Sequence, residues 1–252
     1  MVNILINGAS GRMGKKVREI CSSYQDVQAV CGIDLIENLS DSSFPIYSTF
    51  QDVKERVDVV IDFSSPSSLD KELEWAIKTS TPIVLCPTGF TEQQIKQIEK
   101  ASKSVALFRS ANMSIGVNAI ISAVKDVAKK LIGFDVEIIE KHHHNKVDAP
   151  SGTALMLANA VKEVLPEKFY TYGREGIACK RKKEEIGIHA VRGGSIVGEH
   201  DVIFAGESET ITISHQATDR AVFASGAVRA AIFMKDKKQG LFNIGDVLVT
   251  NV

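Results

Sequence analysis

The sequence predicts an α/β fold, in which a dinucleotide-binding domain with a parallel sheet carries an inserted α+β domain with a mixed sheet. A glycine-rich turn joins the first predicted strand to the first predicted helix. Strands and helices then alternate as far as residue 108, which is typical of a parallel sheet covered on both faces. Later in the chain, three predicted strands follow one another without helices, which indicates a second, differently built sheet.

The N-terminal βαβ unit consists of a strand over Val2 to Ile6, a helix over Lys15 to Ser22 and a strand over Val27 to Ile33. The glycine turn between the first strand and the helix makes this the layout of Rossmann dinucleotide-binding domains. A plain strand-to-helix turn is the alternative, because a glycine pattern alone is weak evidence.

Three glycines in this turn, Gly8, Gly11 and Gly14, suit a bound dinucleotide. The first allows a tight turn, the second lets the backbone approach a pyrophosphate, and the third lets the helix pack closely on the strand. Asp34 ends the second strand, where a carboxylate can accept hydrogen bonds from the adenosine ribose. Asp34 should repel the 2′-phosphate of NADPH and no arginine follows it directly, so we expect NADH to be accepted at least as well as NADPH. Arg12 and Lys15 lie close in sequence and could compensate partly for this repulsion.

The remaining elements of this domain alternate between apolar strands and helices. They are predicted as a strand over 57–63, a helix over 69–78, a strand over 82–85, a helix over 92–103 and a strand over 105–108. Residues 35–50 are predicted to be irregular. Because ligands of such sheets bind beyond the carboxyl ends of the strands, we expect the following turns to form the ligand-binding edge: 7–14, 63–66, 86–90 and 110–113.

The inserted domain is predicted to begin at Ser114 with a helix that continues to Leu131. A strand over 134–140 leads into a turn with three consecutive histidines, and a helix over 154–165 follows. After an expected loop over 166–183, the remaining elements are predicted as strands at 186–191, 198–205 and 209–215, a helix at 219–234 and a strand at 245–250.

The histidine turn concentrates groups that suit an enzyme acting on a small acid. His142, His143 and His144 are imidazoles, which can donate protons near neutral pH, and Lys146 supplies a compact positive charge. The small residues Ser151-Gly152-Thr153 at the start of the next helix leave backbone N–H groups free to hold an anion. Together these groups are suited to bind a carboxylate and to protonate the molecule that carries it.

Two other interpretations of the histidines stay open. A metal site is disfavoured, because adjacent residues of an extended chain point to opposite faces, so that His143 would face away from His142 and His144. We therefore expect no metal. A solvated loop is the commonest fate of such residues, although the nearby Lys146 and the Ser-Gly-Thr helix start disfavour it.

The composition disfavours several classes of protein. The net charge of −1 gives no electrostatic reason to expect a nucleic-acid partner. No apolar run is long enough to span a bilayer, and the N-terminus lacks the charged and apolar regions of a signal peptide. The four cysteines are scattered, which fits a reducing compartment better than a disulfide framework. We therefore expect a cytoplasmic protein without a membrane partner.

Several motifs resemble those of one enzyme family. The segment Glu137 to Ala154, EIIEKHHHNKVDAPSGTA, resembles the signature of bacterial 4-hydroxy-tetrahydrodipicolinate reductase, also called dihydrodipicolinate reductase. The resemblance covers essentially the whole chain. Other similar stretches are 8–14, 110–118, 192–200, 226–229 and 240–242.

The resemblance implies an activity and an architecture. The family's enzymes reduce a cyclic unsaturated dicarboxylate with NADH or NADPH, on the route to diaminopimelate and lysine. Residues 1–113 and 220–252 would form the Rossmann domain, and residues 114–219 the substrate-binding and tetramerisation domain, whose sheet makes a homotetramer.

The resemblance also implies roles for single residues. His142 matches the proton donor, Lys146 the basic residue next to the substrate, and His143 a substrate-contacting histidine. The segment that matches the holder of a substrate carboxylate consists of Ser151, Gly152 and Thr153. The residues that match the cofactor contacts are Gly8, Ala9, Ser10, Gly11, Arg12, Met13, Asp34, Cys86, Pro87, Thr88, Ser110, Ala111, Asn112 and Met113.

This chain departs from the common family pattern at two places. His144 and Asn145 stand where many members have an arginine and a histidine, while the two outer positions of that motif are kept. Cys86 and Pro87 stand where a glycine and a threonine are common. Because proline has no N–H, this turn has one backbone donor fewer for the cofactor.

Two rival functions remain open at this stage. One is another NAD(P)-dependent reductase of a small carboxylic acid, such as a semialdehyde or amino-acid dehydrogenase. No cysteine is placed as the nucleophile that a semialdehyde enzyme needs, since Cys86 lies on a cofactor turn. The other is a non-catalytic NAD-sensing protein, which would keep the glycine turn but has no need for the histidines, the lysine and the helix start together.

Overall fold

The computed structural model describes residues 1–35, 44–177 and 179–250. The chain divides into two compact units, Met1–Ile115 with Ala221–Val252 and Gly116–Arg220. The strands are, in chain order, β1 (Val2–Asn7), β2 (Val27–Ile33), β3 (Ile46–Tyr47), β4 (Val59–Asp62), β5 (Ile83–Leu85), β6 (Ala106–Arg109), β7 (Asp135–His142), β8 (Phe169–Tyr172), β9 (Glu185–Arg192), β10 (Gly198–Ala205), β11 (Thr210–Ala217) and β12 (Gly240–Phe242).

The helices connect these strands and cover the sheets. They are α1 (Arg12–Cys21), α2 (Leu69–Thr79), α3 (Glu92–Ala101), α4 (Ile115–Lys130), α5 (Gly152–Val164), α6 (Ala221–Met234) and α7 (Ile244–Val249). No helix in the described ranges is long and apolar enough to cross a membrane.

The first unit is built on a seven-stranded parallel sheet with the order β12-β6-β5-β4-β1-β2-β3. The strands β4 and β5 are buried throughout, as expected of a sheet covered on both faces. The helices α1 and α6 pack on one face, and α2 and α3 pack on the other. The strand order changes direction between β1 and β4, and a ligand of such a sheet binds at this point.

The second unit is built on a five-stranded mixed sheet with the order β11-β10-β7-β9-β8. The central strand β7 pairs in parallel with β9 and antiparallel with β10. The helices α4 and α5 cover one face of the sheet, so buried and partly buried residues alternate along β7. The two sheets confirm the predicted combination of a parallel and a mixed sheet.

The prediction of a strand over 245–250 was wrong, because a helix-capping signal overrides the apolar run. Asn243 accepts a hydrogen bond from the N–H of Gly245, and Asp246 accepts one from the N–H of Asn243, both at 2.8 Å. This reciprocal cap starts α7. The last strand is instead β12, which extends the sheet beside β6.

Two stretches predicted to be irregular contain short strands. The expected loop over 166–183 includes β8, which pairs in parallel with β9 at the edge of the second sheet. The stretch 35–50 includes β3, which pairs with the end of β2. Its residues 36–43 lie outside the described ranges.

Candidate active site

The candidate proton donor and a buried carboxylate lie on the same face of β7. Even-numbered residues of this strand face the core, because side chains alternate along a strand. Glu140 is fully buried and His142 is 9% exposed. Nδ1 of His142 lies 2.6 Å from Oε2 of Glu140. The carboxylate therefore orients the imidazole ring.

Two further residues hold the Glu140 carboxylate. Arg192 donates from Nη1 to Oε2 and from Nη2 to Oε1, each at 2.7 Å, and the N–H of Ser151 donates to Oε1 at 3.0 Å. The register of β9 sets Arg192 level with His142, which brings the guanidinium to this face. Burial alone would raise the pKa of Glu140, but the hydrogen bonds from Arg192, His142 and Ser151 outweigh it and leave the pKa below its ordinary value. The carboxylate is thus ionised at neutral pH.

His200 on β10 is the second buried imidazole of this cluster. Its ring meets that of His142 edge to face, with the centroids 5.2 Å apart, and its Nε2 lies 2.9 Å from Oγ of Ser151. Burial, followed by the charge of His142, lowers the pKa of His200 to about 4. His200 is therefore neutral at pH 7 and serves as a hydrogen-bond partner of Ser151.

Lys146 lies in the turn that follows β7. Its Nζ donates to Oδ1 of Asp148 at 2.7 Å, and this hydrogen bond lowers the pKa of Asp148. The N–H of His144 donates to the carbonyl oxygen of Gly194 at 3.3 Å. The turn is thereby tied to the loop between β9 and β10.

Positive charges surround His143 in the same turn. Desolvation, followed by the charges of Arg220, His142 and Lys146, lowers the pKa of His143. The neutral form of the His143 ring is therefore favoured. The turn therefore offers a positively charged setting, which suits an anionic ligand.

The start of α5 presents backbone donors beside this cluster. Ser151 is the N-cap, and its Oγ accepts a hydrogen bond from the N–H of Ala154 at 3.1 Å. The N–H of Gly152 makes no hydrogen bond within the described part of the chain, and the space where a side chain would lie is open. The positive end of the helix dipole favours an anion at this point.

In the first unit, the turn between β1 and α1 is compact. Gly8 has a φ of +81°, and a Cβ there would lie 3.0 Å from the backbone of Phe63. A Cβ at Gly14 would lie 2.3 Å from the carbonyl oxygen of Gly8, so only glycine allows this packing. Oγ of Ser10 is buried without a hydrogen-bond partner among the described residues. An unsatisfied hydroxyl in such a turn suits a phosphate group of a ligand.

Asp34 is held against this turn. Its Oδ2 accepts a hydrogen bond from the N–H of Ser10, and its Oδ1 accepts one from the N–H of Leu35, both at 2.8 Å. Each carboxylate oxygen has a second lone pair, which can accept a hydrogen bond from a ribose hydroxyl.

A buried carboxyl pair lies at the point where the strand order of the first sheet reverses. Asn7 and Asp62 end β1 and β4 side by side. Asp62 is 1% exposed and accepts hydrogen bonds from the N–H and the hydroxyl of Ser64 at 2.7 and 2.6 Å. Burial, followed by the charge of Asp62, raises the pKa of Glu72 well above its ordinary value. The neutral form of the Glu72 carboxyl group is therefore favoured beside the Asp62 carboxylate.

Cys86 follows β5 at the same edge of the sheet. Its N–H donates to the carbonyl oxygen of Asp62 at 3.0 Å. Burial, followed by the charges of Asp62 and Glu72, raises the pKa of the Cys86 thiol well above its ordinary value. A thiol in this state is a poor nucleophile.

The turn after β6 is held by its own hydrogen bonds. The hydroxyl of Ser110 donates to the carbonyl oxygen of Asn112 at 2.9 Å, and Oδ1 of Asn112 accepts from the N–H of Ser114 at 2.8 Å. Met113 is 4% exposed and belongs to the core of the first unit.

Comparison with known proteins relates both units to one family. The family model described as "Dihydrodipicolinate reductase, N-terminus" matches residues 2–113, and the model described as "Dihydrodipicolinate reductase, C-terminus" matches residues 116–248. The chain belongs to the dihydrodipicolinate reductase family.

Individual relatives cover the whole chain. A protein of Caldanaerobacter subterraneus subsp. tengcongensis named 4-hydroxy-tetrahydrodipicolinate reductase is 51% identical and covers 98% of both chains. A protein of the same name from Methanocaldococcus jannaschii is 39% identical and covers 100% of this chain and 98% of its own. A solved dipicolinate-bound dihydrodipicolinate reductase from Paenisporosarcina sp. TG-14 has a TM-score of 0.81 at 25% identity, and the match covers 96% of this chain and 97% of that one.

The structure brings several residues predicted from the dihydrodipicolinate reductase resemblance together within each unit. In the second unit, Glu140 connects His142 with Ser151. Lys146 contacts Asp148, whose carbonyl oxygen accepts from Nη2 of Arg192 at 2.7 Å. In the first unit, the glycine turn at 8–14 meets Asp34, and Cys86 meets the end of β4. The contacts of these residues with ligands stay predictions.

Three residues of the histidine cluster had no role assigned from the sequence. Glu140 precedes His142 by two positions on a strand, so the period of two places both on one face. Arg192 and His200 begin and end a motif that supports the dihydrodipicolinate reductase resemblance, but only the register of β9 and β10 shows that they face Glu140.

Proposed function

We propose that this chain reduces 4-hydroxy-tetrahydrodipicolinate to tetrahydrodipicolinate with NADH or NADPH and releases the 4-hydroxyl group as water, a step of diaminopimelate and lysine biosynthesis. The observation that carries this conclusion is the 51% identity to a 4-hydroxy-tetrahydrodipicolinate reductase along 98% of both chains. The buried cluster around His142 supplies the proton-donating group that such a reduction needs.

The first unit fits a nicotinamide dinucleotide. The glycine turn brings backbone close to where a pyrophosphate would lie, and the unpartnered hydroxyl of Ser10 offers a donor to it. The anchored carboxylate of Asp34 suits the ribose hydroxyls. When bound, the cofactor supplies a hydride. The residues proposed to hold it are Gly8, Ala9, Ser10, Gly11, Arg12, Met13, Asp34, Cys86, Pro87, Thr88, Ser110, Ala111, Asn112 and Met113.

The second unit supplies the proton donor and the groups that bind the substrate. Hydride addition to an electron-poor ring leaves negative charge that a nearby acid must neutralise, and we assign this role to Nε2 of His142. We assign the binding of a substrate carboxylate to Lys146 and to the N–H of Gly152, which has no hydrogen-bond partner among the described residues. Thr153 shares this helix start, and His143 lies in the adjoining turn. Ser151 orients the helix start, since both its N–H and its hydroxyl have internal partners.

For the choice of cofactor, we propose that NADH is used at least as well as NADPH. The carboxylate of Asp34 is fixed by two backbone N–H groups, so it cannot easily swing away from a 2′-phosphate. Residues 36–43 contain no arginine or lysine that could receive that phosphate.

For the assembly, we propose a homotetramer formed through the sheet of the second unit. Helices α4 and α5 cover one face of this sheet. The other face carries charged side chains, among them Glu137, Lys141 and Asp201. Four residues of β11 on that face are exposed, namely Thr210, Thr212, Ser214 and Gln216. Light scattering at micromolar concentration should report four subunits, and a monomer would refute the proposal.

For the compartment, we propose the cytoplasm. The four cysteines, Cys21, Cys31, Cys86 and Cys179, are all free thiols, which is usual in a reducing environment. Fractionation of cells that express the full chain tests this.

The function is tested by following NADH and NADPH oxidation with freshly prepared 4-hydroxy-tetrahydrodipicolinate. Parallel reactions contain a semialdehyde or a 2-keto acid. Turnover of the dicarboxylate alone is expected. Turnover of a semialdehyde alone would favour the rival dehydrogenase function, and cofactor binding without turnover of any substrate would favour an NAD sensor.

A further inference from the structure

The carboxylate of Glu140 lies at the centre of the hydrogen bonds that join β7, β9 and the start of α5. It is fully buried and receives four hydrogen bonds, from the imidazole of His142, from both terminal nitrogens of Arg192 and from the N–H of Ser151. A buried carboxylate needs such partners to be stable, but an apolar side chain would fill the same space without them. The groups that surround Glu140 therefore indicate why a carboxylate, and not an apolar side chain, stands at this position.

We propose that Glu140 is a positioning residue that holds His142 with a proton on Nδ1, and so presents Nε2 as the proton-donating atom. This inference rests on the proposed role of His142 as the proton donor. Through the N–H of Ser151, the same carboxylate also sets the position of the helix start that holds the substrate carboxylate.

The geometry of the ring decides which nitrogen faces a ligand. Nδ1 is directed at Oε2 of Glu140 at 2.6 Å. Nε2 lies beside Gly198, where an added Cβ would come within 3.0 Å of it, so the absence of a side chain at this glycine keeps space around Nε2. Nε2 is thus the nitrogen of His142 that remains for chemistry.

Arg192 makes the carboxylate suitable for this task. Its two hydrogen bonds engage both oxygens of Glu140, which fixes the plane of the carboxylate and keeps it ionised despite its burial. The carboxylate accepts the proton-bearing Nδ1 of the ring, so the proton that the ring gives up is the one on Nε2. After the transfer, the Glu140 carboxylate keeps the remaining proton on Nδ1. The neutral ring therefore does not adopt the tautomer that is protonated on Nε2.

The bond from Ser151 connects the proton donor to the start of α5. Oε1 of Glu140 accepts the N–H of Ser151, while Oε2 faces His142. Ser151 is the N-cap of α5, so a shift of Glu140 would move both the acid and the neighbouring N–H of Gly152. One side chain thereby sets the spacing between the donated proton and the bound carboxylate.

Two other titratable residues lie near this cluster, His200 and Asp148, and neither can take the place of Glu140 as the partner of Nδ1 of His142. His200 is neutral and its Nε2 is engaged with the hydroxyl of Ser151. Asp148 pairs with Lys146, and its side chain is 60% exposed. Within the described ranges, Glu140 is the carboxylate that contacts His142.

The test compares the full-length wild type with Glu140→Gln, which keeps the shape and removes the charge. The matched control is Glu199→Gln, since Glu199 pairs with Lys141 on the opposite face of the sheet. Nitrogen-15 NMR of the histidine rings, assigned with His142→Gln, reports which ring nitrogen is protonated. In the wild type and the control, we expect Nδ1 of His142 to stay protonated from pH 6 to 9. In Glu140→Gln, we expect the Nε2-protonated tautomer to appear in the neutral ring.

Steady-state kinetics provides the second readout. We expect Glu140→Gln to lower kcat about 10- to 100-fold, as is typical when the partner that orients a functional histidine is lost. The Kd of NADH should change less than about twofold, because the glycine turn belongs to the other unit. An unchanged tautomer, or a changed tautomer with wild-type kcat, would overturn the proposal.

A purely structural role for the ion pair is tested by Glu140→Gln combined with Arg192→Leu. The double variant has no unpaired guanidinium, so its melting temperature should exceed that of Glu140→Gln alone. If Glu140 positions His142, kcat stays low in the double variant. Recovery of kcat together with the melting temperature would show that Glu140 only neutralises Arg192. The ring tautomer is read without substrate, so this inference can fail while the proposed function stands. Wild-type turnover by His142→Gln would instead refute the proton-donor assignment on which it rests.

Discussion

Ser10 donates its backbone N–H to Oδ2 of Asp34 at 2.8 Å and so joins the glycine turn to the end of β2. The bond fixes the carboxylate beside the turn that is expected to hold the pyrophosphate of a dinucleotide. A second bond, from the N–H of Leu35 to Oδ1, prevents the side chain from rotating away. If a dinucleotide binds as proposed, we expect this negative charge to lie near the 2′ position of the adenosine ribose, where NADH and NADPH differ.

The first prediction concerns this choice of cofactor. The wild type should show a kcat/KM for NADH at least equal to that for NADPH. Asp34→Asn removes the repulsion of the 2′-phosphate and should raise the NADPH to NADH ratio of kcat/KM by about tenfold, or ~1.4 kcal/mol. The control is Asp26→Asn, an exposed carboxylate of the same unit. A tenfold preference of the wild type for NADPH would contradict the role of Asp34.

The second prediction concerns the proton donor. His142→Gln should lower kcat by roughly 10²–10⁴, the usual contribution of a positioned acid. The Kd of NADH, measured by fluorescence titration, should hardly change. His144→Ala is the control, because the structure engages the backbone N–H of His144 in the turn, and that bond survives the substitution. If His142→Gln turned over like the wild type from pH 6 to 9, another group would have to supply the proton.

The third prediction concerns the binding of the substrate by Lys146. Lys146→Ala should lower kcat and also raise the KM of the dicarboxylate, if the ammonium holds a carboxylate in the ground state and the transition state alike. Lys129→Ala serves as the control, since Lys129 is a largely exposed lysine of α4. Steady-state kinetics decides the matter, and a wild-type KM with a wild-type kcat would remove Lys146 from the site.

Local signals made the first half of the chain predictable. The glycine at position 14 allows α1 to pack close to β1, and an acidic residue follows β2, so the βαβ unit is encoded within a short stretch. The incorrect prediction of a strand over 245–250 also has a local cause. The apolar run there suits a strand, but Asn243 and Asp246 form a reciprocal cap that starts a helix instead.

The histidine cluster includes one contact that sequence patterns predict and one that depends on strand pairing. His142 and Glu140 lie two residues apart on one strand, so their proximity is a local property. Arg192 lies 52 residues from Glu140 and reaches it only because β9 pairs in parallel with β7 in one particular register. A shift of that register by one residue would turn Arg192 to the other face, and nothing in the spacing along the chain specifies it.

The fourth prediction concerns the packing of α6. A Cβ at Gly226 would lie 1.7 Å from the carbonyl oxygen of Met113, which is backbone and cannot rotate away. Gly226→Ala should therefore destabilise the fold by about 1–3 kcal/mol, although alanine is the better helix former. Gly193→Ala is the control, because nothing lies within 4 Å of its added Cβ. Urea unfolding gives the comparison, and equal midpoints for Gly226→Ala and the wild type would refute the packing argument.

The fifth prediction concerns acid stability and rests on Glu137 on the outer face of β7. Burial alone would raise the pKa of Glu137, but hydrogen bonds from Arg174, His189 and Arg181 lower it to about 2, from an ordinary value of 4.5. The unfolded chain thus binds a proton on this residue at a higher pH than the folded chain does. The resulting stabilisation is complete above about pH 4.5 and is lost as the pH falls through about 2.

This stabilisation should amount to something on the order of 2 kcal/mol, because Glu137 is 19% exposed and its partners are held close. Glu137→Gln cannot take part in this titration, so its free energy of unfolding should fall less steeply than that of the wild type between pH 4.5 and 2. Glu137→Gln also leaves Arg174 and Arg181 without their carboxylate, so the slope with pH, rather than the absolute stability, is the quantity to compare. Glu209→Gln, at an exposed position before β11, should keep the wild-type slope. Parallel curves for Glu137→Gln and the wild type would mean that the arginines do not hold this carboxylate ionised in solution.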